Sequence, residues 1–569
     1  ATMADHPDFL FHRCCFLAMH RLLAALPLLF LSVLAKAEPL LVHGRIWTGN
    51  ETQPWVEALA IDGERIIDLG TRDDVIARLG EQPQEIDAGQ GIVVPGLYDS
   101  HIHLIGGGEA LASVQLRDAK TPEEFAKRIG EYARRQKAQG KSGWIVGSDW
   151  DHTLWGGELP DRKWIDELTP DTPVFLARLD GHMALVNTAA LRAAGIDENV
   201  EDVPGGEIVR DDSGRLTGIL KDNAMGLVAR AIPPSSVEES LEAVRAAMAY
   251  LAERGVTSVH HMGSWHDLAV FRVARQRGLL TCRVYAFTPL QQWEQLAEEI
   301  KRSGRGDDWL KIGGLKGFVD GSLGSHTAAF LQGYTDDPAS RGLLVNTADD
   351  LEQWTAGADR AGLQVAVHAI GDRAIRLQLD IFERTATANG PRDRRFRIEH
   401  AQHIARDDIP RFGELGVIAS MQPYHAIDDG RWADPLIGPE RAATSYAFRS
   451  LINTKGRLAL GSDWFVAPAT PLEGIDAAVT RRTLDGKHPG GWVPEQKITA
   501  EEALRGYTSG AAYAGFEEES RGTLERGKLA DLVILDRDIL DPAEHEIGQA
   551  RVMLTMVGGK VVYEAIDGK

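Results

Sequence analysis

Apolar positions run along this 569-residue chain in two styles. Towards each end they form short runs broken by tight turns. Leu40-Leu41-Val42-His43-Gly44-Arg45-Ile46 predicts one strand. Ala58-Leu59-Ala60-Ile61, a two-residue Asp62-Gly63 turn and Arg65-Ile66-Ile67 predict a hairpin, because such a turn matches the twist of paired strands. The far end repeats the style with Asp531-Leu532-Val533-Ile534-Leu535, Val552-Met553-Leu554, a Gly558-Gly559 turn and Lys560-Val561-Val562-Tyr563. Residues 38–95 and 516–569 are therefore expected to pair into one small flanking β-sandwich.

Between them, apolar strands alternate with helical stretches, the mark of a parallel α/β architecture. The first strand rises through Ile92-Val93-Val94-Pro95-Gly96 to His101. Others fall at residues 258–261, 281–286, 310–317, 364–369, 397–400, 418–422 and 457–460, with helices such as 237–254 and 372–387 between them. Eight strands is the count of a TIM (β/α)8 barrel, here spanning residues 96–515. One interval is too long for a single crossover, so residues from about 110 to 232 read as a lobe inserted after the first barrel strand. Its Trp150, Trp155 and Trp164 would form either an apolar lid or the lobe's own core. Residues 428–445, between the last two strands, are a second candidate for covering a pocket.

Composition changes this picture little, since 43% hydrophobic and 25% charged residues suit an ordinary soluble protein. A formal charge of −21 argues against nucleic acid and anionic membrane as partners, because phosphate would repel it. Residues 1–37 read as a signal peptide: Arg21 precedes an apolar stretch at 22–34, and Ala35-Lys36-Ala37 has the small-x-small form of a cleavage site. The stretch is shorter than the ~20 residues of a bilayer span, so no stable membrane association is expected after cleavage. A short buried helix is the alternative. Met19 lies just before Arg21, so residues 1–18, with Cys14-Cys15, read as an upstream extension. The expectation is an exported protein, periplasmic or secreted, whose one remaining cysteine, Cys282, has no disulfide partner.

Candidate chemistry gathers at strand ends. In Tyr98-Asp99-Ser100-His101-Ile102-His103-Leu104, residues two apart on a strand face one side, so His101 and His103 can point two imidazoles at one ion. His368 closes Val365-Ala366-Val367, His400 closes Phe396-Arg397-Ile398-Glu399, and Asp463 follows Leu458-Ala459-Leu460-Gly461-Ser462. Lys316 ends the run from Leu310, ahead of Asp320. Catalytic groups of a β/α barrel come from C-terminal strand ends. Each residue singly could be a satisfied core group, but their joint placement argues for a site.

These segments carry a resemblance. Pro95-Gly96-Leu97-Tyr98-Asp99-Ser100-His101-Ile102-His103, Asp180-Gly181-His182-Met183-Ala184-Leu185-Val186-Asn187, Lys316-Gly317-Phe318-Val319-Asp320-Gly321-Ser322, Val367-His368-Ala369-Ile370-Gly371-Asp372, Gln422-Pro423-Tyr424-His425-Ala426 and Leu460-Gly461-Ser462-Asp463 resemble the amidohydrolase superfamily. The similarity is to its YtcJ-like branch, which includes N-substituted formamide deformylases. It implies a metal centre of one or two divalent ions, zinc first, held by His101, His103, His368, His400 and Asp463. Lys316 falls where related enzymes carry a carboxylated lysine bridging two ions; the alternative is a plain lysine paired with Asp320 and a one-metal site. Lys311, five residues away, faces the opposite side of a regular strand.

An ion so held would activate water for attack on a carbonyl. Asp463 would double as proton shuttle. His425, taken as the end of the seventh strand, would stabilise the oxyanion, and His182 would approach from the lobe; loop packing is the alternative for both. His261, His326 and His403 stay unassigned, and the branch commonly has an acid where His261 stands. The expected substrate is a small molecule, an N-substituted amide or formamide cleaved at a non-peptide carbon–nitrogen bond. Rivals are a lactone, ester or cyclic imide on the same site, a binding or regulatory protein without turnover, and a scaffold with structural metal only. A homodimer is left open.

Overall fold

The computed structural model describes residues 39–80, 83–140, 143–541 and 547–565. The predicted signal peptide and upstream extension lie outside the described residues. Among the described residues no helix is long and apolar enough to cross a membrane.

Eight parallel strands pair in chain order: Leu97–Ile102, Val256–Met262, Arg283–Pro289, Leu310–Phe318, Gln364–Ala369, Arg397–His400, Ile418–Met421 and Arg457–Leu460. Beyond the end of the eighth strand, the Asp463 N–H donates to the His101 carbonyl at 2.7 Å and the His103 N–H to the Trp464 carbonyl at 2.8 Å. The barrel thus closes through the backbone of His101, His103 and Asp463.

Alternation along the strands separates two environments. Val365, Val367, Ile398, Leu458 and Leu460 face outward into one core with helix residues such as Leu379 and Phe382. Each such side chain contributes roughly 1.5–3 kcal/mol through burial. The intervening positions face the barrel axis. There Arg397 of the sixth strand reaches His260 Nδ1 of the second at 2.8 Å and Ser420 Oγ of the seventh at 2.9 Å. The helix Val237–Ala252 starts where Ser236 and Glu239 cap each other's backbone N–H groups, and Asp372–Asn389 also fills its predicted place.

The fourth strand corrects one expectation. Pairing shifts at Gly313, whose φ of 137° only glycine adopts readily, so the alternation resets. Lys311 therefore shares the inner face with Lys316. It sits low in the barrel, 5.0 Å from the Tyr285 ring, and donates to the Phe516 carbonyl at 3.1 Å.

The two ends of the chain form one seven-stranded sheet in the order Lys560–Glu564, Val552–Val557, Leu532–Leu535, Gln84–Pro95, Leu40–Trp47, Trp55–Asp62, Arg65–Gly70. The apolar run Ile92-Val93-Val94 belongs to this sheet, where it pairs antiparallel with Leu532–Leu535. At Gly96 the chain crosses to the barrel; a Cβ there would lie 2.2 Å from Thr257 Oγ1, so the crossing needs glycine.

The inserted lobe contains a five-stranded sheet ordered Ile145–Trp150, Val174–Arg178, Met183–Val186, Leu216–Asp222, Gly206–Arg210. Phe125 packs among Trp150, Trp155 and Trp164 with ring centres 5.5–6.4 Å away. The tryptophans are the lobe's core, which rules out the lid reading.

Candidate metal centre

At the C-terminal mouth of the barrel, His101 Nε2 lies 3.4 Å and His103 Nε2 3.2 Å from Asp463 Oδ1. That oxygen is buried and accepts no hydrogen bond. A second group shares the aspartate: ligand atoms of His400, His425 and Asp463 all lie within 4.8 Å of one another. Lone-pair atoms converging without hydrogen bonds between them are a donor set that fits a divalent cation.

The backbone brings these atoms together by leaving regular geometry. Arg397 and Glu399 face the axis, so His400 should face outward, yet φ values of +73° at His400 and +45° at Ala401 swing its ring inward. Asp463 has φ +62°. Such left-handed non-glycine positions cost on the order of 1–3 kcal/mol each and persist where packing over-determines them. Asp99 supplies part of that packing. It is buried and accepts from Ser462 N at 2.9 Å, Ser462 Oγ at 2.5 Å and His101 N at 3.2 Å, tying the first strand to the eighth. Burial pushes its carboxyl up to about 7.

Lys316 and His368 border the centre but belong to neither tight group. Lys316 Nζ lies 3.1 Å from His101 Nε2. Burial lowers its ammonium to about 8, within reach of a neutral amine. Asp320 does not pair with it; that carboxylate accepts from the backbone N–H groups of Ala329, Ile370 and Gly371. The His368 ring stands 4.5 Å from that of His400, with Nε2 against the Gly321 carbonyl at 3.0 Å.

Two of the imidazoles are held by different acceptors. His101 Nδ1 meets Glu399 Oε2 at 2.5 Å, and His400 Nδ1 meets Gln422 Oε1 at 2.9 Å. Glu399 and its partner Arg397, both wholly buried, were absent from the sequence reading as site residues. Their signal is two charged residues at alternate positions of an apolar barrel strand. Burial lowers His101 to about 4 and holds His368 and His400 well below their ordinary values, so all three imidazoles are neutral at pH 7. For Asp463 burial opposes ionisation, but the imidazoles of His101, His103 and His425 prevail and hold the carboxyl well below the carboxylate range.

His425 does not end the seventh strand. It lies in the first turn of the helix Pro423–Asp429, because Pro423 stops the strand and starts a helix. Its Nε2 is buried without a partner. His182, in the turn before Met183–Val186, sits 4.8 Å from the His368 ring, and its Nδ1 meets Asp222 Oδ1 at 2.6 Å. Burial would lower His182, but Asp222 outweighs it and raises the imidazole.

His261, His326 and His403 are held by contacts outside the centre. His261 faces away from the axis, its Nδ1 accepting from Leu104 N at 3.0 Å and its Nε2 near Asp267 at 3.2 Å. His326 pairs with Asp336. His403 is buried against Ser445 Oγ at 2.7 Å, and burial lowers it from the usual 6.5 to about 3. Unfolding lets it bind a proton at ordinary pH values, so the unfolded chain binds more protons between those two values. Its share of stability is whole above pH 6.5 and falls as pH drops towards 3, by up to about 1.4 kcal/mol per pH unit. Urea midpoints at pH 7 and pH 5 should therefore differ less in His403→Gln than in the wild type. Equal differences would refute this.

Over the centre lies a pocket lined by His182, His368, His400, His425 and Asp463, with Arg178, Gln402, Asp429, Arg431 and Trp432 among its other walls. Residues 428–445 do contribute to its cover, through the start of that segment.

A parallel eight-stranded barrel that brings imidazoles and a shared carboxylate to two ion-sized groups at its mouth, with a lysine at their border, is the frame of a metal-dependent hydrolase. The chain belongs to the amidohydrolase family, whose model matches residues 84–563. It is 42% identical over 540 residues to protein LONG AFTER FAR-RED 3 of Arabidopsis thaliana, covering 93% of this chain and 92% of that one. It is 32% identical to the putative amidohydrolase YtcJ of Bacillus subtilis and 27% identical to the N-substituted formamide deformylase of Arthrobacter pascens, covering 92% of this chain and 98% of each. The crystal structure of an uncharacterised metal-dependent hydrolase from Pyrococcus horikoshii superposes with a TM-score of 0.72 at 30% identity, over 90% of this chain and 99% of that one.

Proposed function

We propose that this hydrolase cleaves a carbon–nitrogen bond other than a peptide bond, in an N-substituted amide or formamide. The observation that carries the reading is a pair of orphaned atoms. Asp463 Oδ1 and His425 Nε2 are both buried without hydrogen-bond partners beside the pocket over the centre. The name of the Arthrobacter pascens relative supports the choice of formamide.

His101, His103, His400 and Asp463 would hold one or two divalent ions, zinc first, with His368 and a carboxylated Lys316 completing a two-ion site. Such an ion supplies Lewis acidity and ionised water at neutral pH. The protein does the rest. Asp463, kept ionised, takes the proton of the attacking water and returns it to the leaving nitrogen, releasing an acid and an amine. His425 offers Nε2–H to the oxygen that gains negative charge. His182, held by Asp222, orients the acyl side.

Elemental analysis of the chain purified without chelators tests the reading together with a panel of formamides, acylated amines, esters and lactones. About two ions per chain and turnover of formamides are expected. One ion would leave Lys316 beside the centre rather than in it. No ion after metal and bicarbonate are restored, or hydrolysis of esters alone, would overturn the proposal.

A further inference from the structure

The cavity wall above the centre carries charged groups that are unequally paired. Arg178, buried at the end of a lobe strand, donates to Asp180 Oδ2 at 2.6 Å, Asp151 Oδ1 at 3.3 Å and His152 Nδ1 at 3.2 Å. Gly324 allows this placement, since a Cβ there would lie 2.3 Å from Arg178 Nη1. Arg431 donates to Asp151 Oδ2 at 3.1 Å and Asp428 Oδ1 at 2.8 Å. Both guanidiniums are therefore neutralised by carboxylates of the protein itself.

Asp429 differs. Its Oδ2 accepts from the neutral Tyr446 phenol at 2.5 Å, and no cation lies within ion-pair distance of it among the described residues. Burial, with the like charge of Asp428, outweighs the Tyr446 hydrogen bond and the more distant charges of Arg178 and Arg431 and pushes the carboxyl up to about 7. A sheltered carboxylate with no cation in contact is unfavourable, since Arg178 and Arg431 act on it only at longer range, and a ligand cation would supply that contact through a charge-assisted hydrogen bond. An anionic substituent would instead meet Asp180, Asp428 and Asp429 beside cations already spent.

We propose that Asp429 is a specificity residue of this cavity, recognising an ammonium or similarly charged nitrogen borne by the substrate away from the bond that is cut. Which bond is cut rests on the hydrolase reading above; what binds does not.

The test pairs N-(3-aminopropyl)formamide with N-butylformamide, in which a methyl group replaces the ammonium. Binding to the metal-loaded full chain is measured by calorimetry, and kcat/KM is measured alongside. The wild type should favour the charged probe at least about tenfold in Kd, and Asp429→Asn should cut that ratio to about threefold or less. Tyr446→Phe, which keeps the carboxylate and removes its phenol, should retain the preference.

Equal affinities in the wild type, or no binding of the charged probe, would overturn the assignment without any variant. So would a tenfold ratio that survives in Asp429→Asn with an unchanged melting curve. Charged-probe preference in Kd without hydrolysis of either formamide would keep the recognition and sink the hydrolase reading. Equal hydrolysis of both would do the reverse.

Discussion

Asp463→Asn should lower kcat by about a thousandfold, the range expected when a shuttling base is lost. Asparagine keeps the shape of the side chain and tolerates the left-handed backbone found at φ +62°. The Asp463 N–H would still donate to His101 O, so the seam of the barrel should survive. What disappears is an ionised oxygen 3.2–3.4 Å from two imidazoles, which is the group able to accept a proton there. Turnover of the best formamide, measured together with metal per chain at saturating metal, separates lost chemistry from lost binding. A variant that is fully loaded and retains a tenth of wild-type kcat would remove Asp463 from the proton path.

The second large effect is on stability. Arg397→Met should cost about 3–5 kcal/mol, because it leaves Glu399 charged and wholly buried without its counter-ion. Arg397 also donates to the Ser100 carbonyl at 2.7 Å, on the strand that carries His101. Adding Glu399→Gln to Arg397→Met should recover much of the loss, since an amide does not need the guanidinium. The double variant would still lack the carboxylate that orients His101, and its metal affinity should fall about 10–100-fold. Urea unfolding measures the first quantity and chelator competition the second. A loss under 1 kcal/mol in Arg397→Met, or wild-type metal affinity in the double variant, would refute the arrangement.

Most of the architecture was legible because it rests on local patterns. Strands 364–369, 397–400 and 457–460 appear at their predicted residues, since apolar runs between helical stretches report burial on the outer face of a barrel. The aspartate and histidines at strand ends were legible for the same reason: a polar group that closes an apolar run is visible in one dimension. His425 lies past the strand end because Pro423 stops the strand and opens the helix Pro423–Asp429.

What one dimension could not show is phase and partnership. The bulge at Gly313 turns Lys311 inward, and left-handed residues at His400 and Ala401 turn a ring that alternation would send outward. Neither has a periodic signature, because each is a single break in a period. Glu399 meets His101 across 298 positions, Asp99 meets Ser462 across 363, and Arg431 meets Asp151 across 280. By itself, then, the sequence determined the barrel, the paired ends and the residue types of the centre, since these follow from short-range hydrophobic pattern. The tertiary structure alone decided which atoms converge and which charges are paired. Those outcomes depend on distances between strands far apart in the chain.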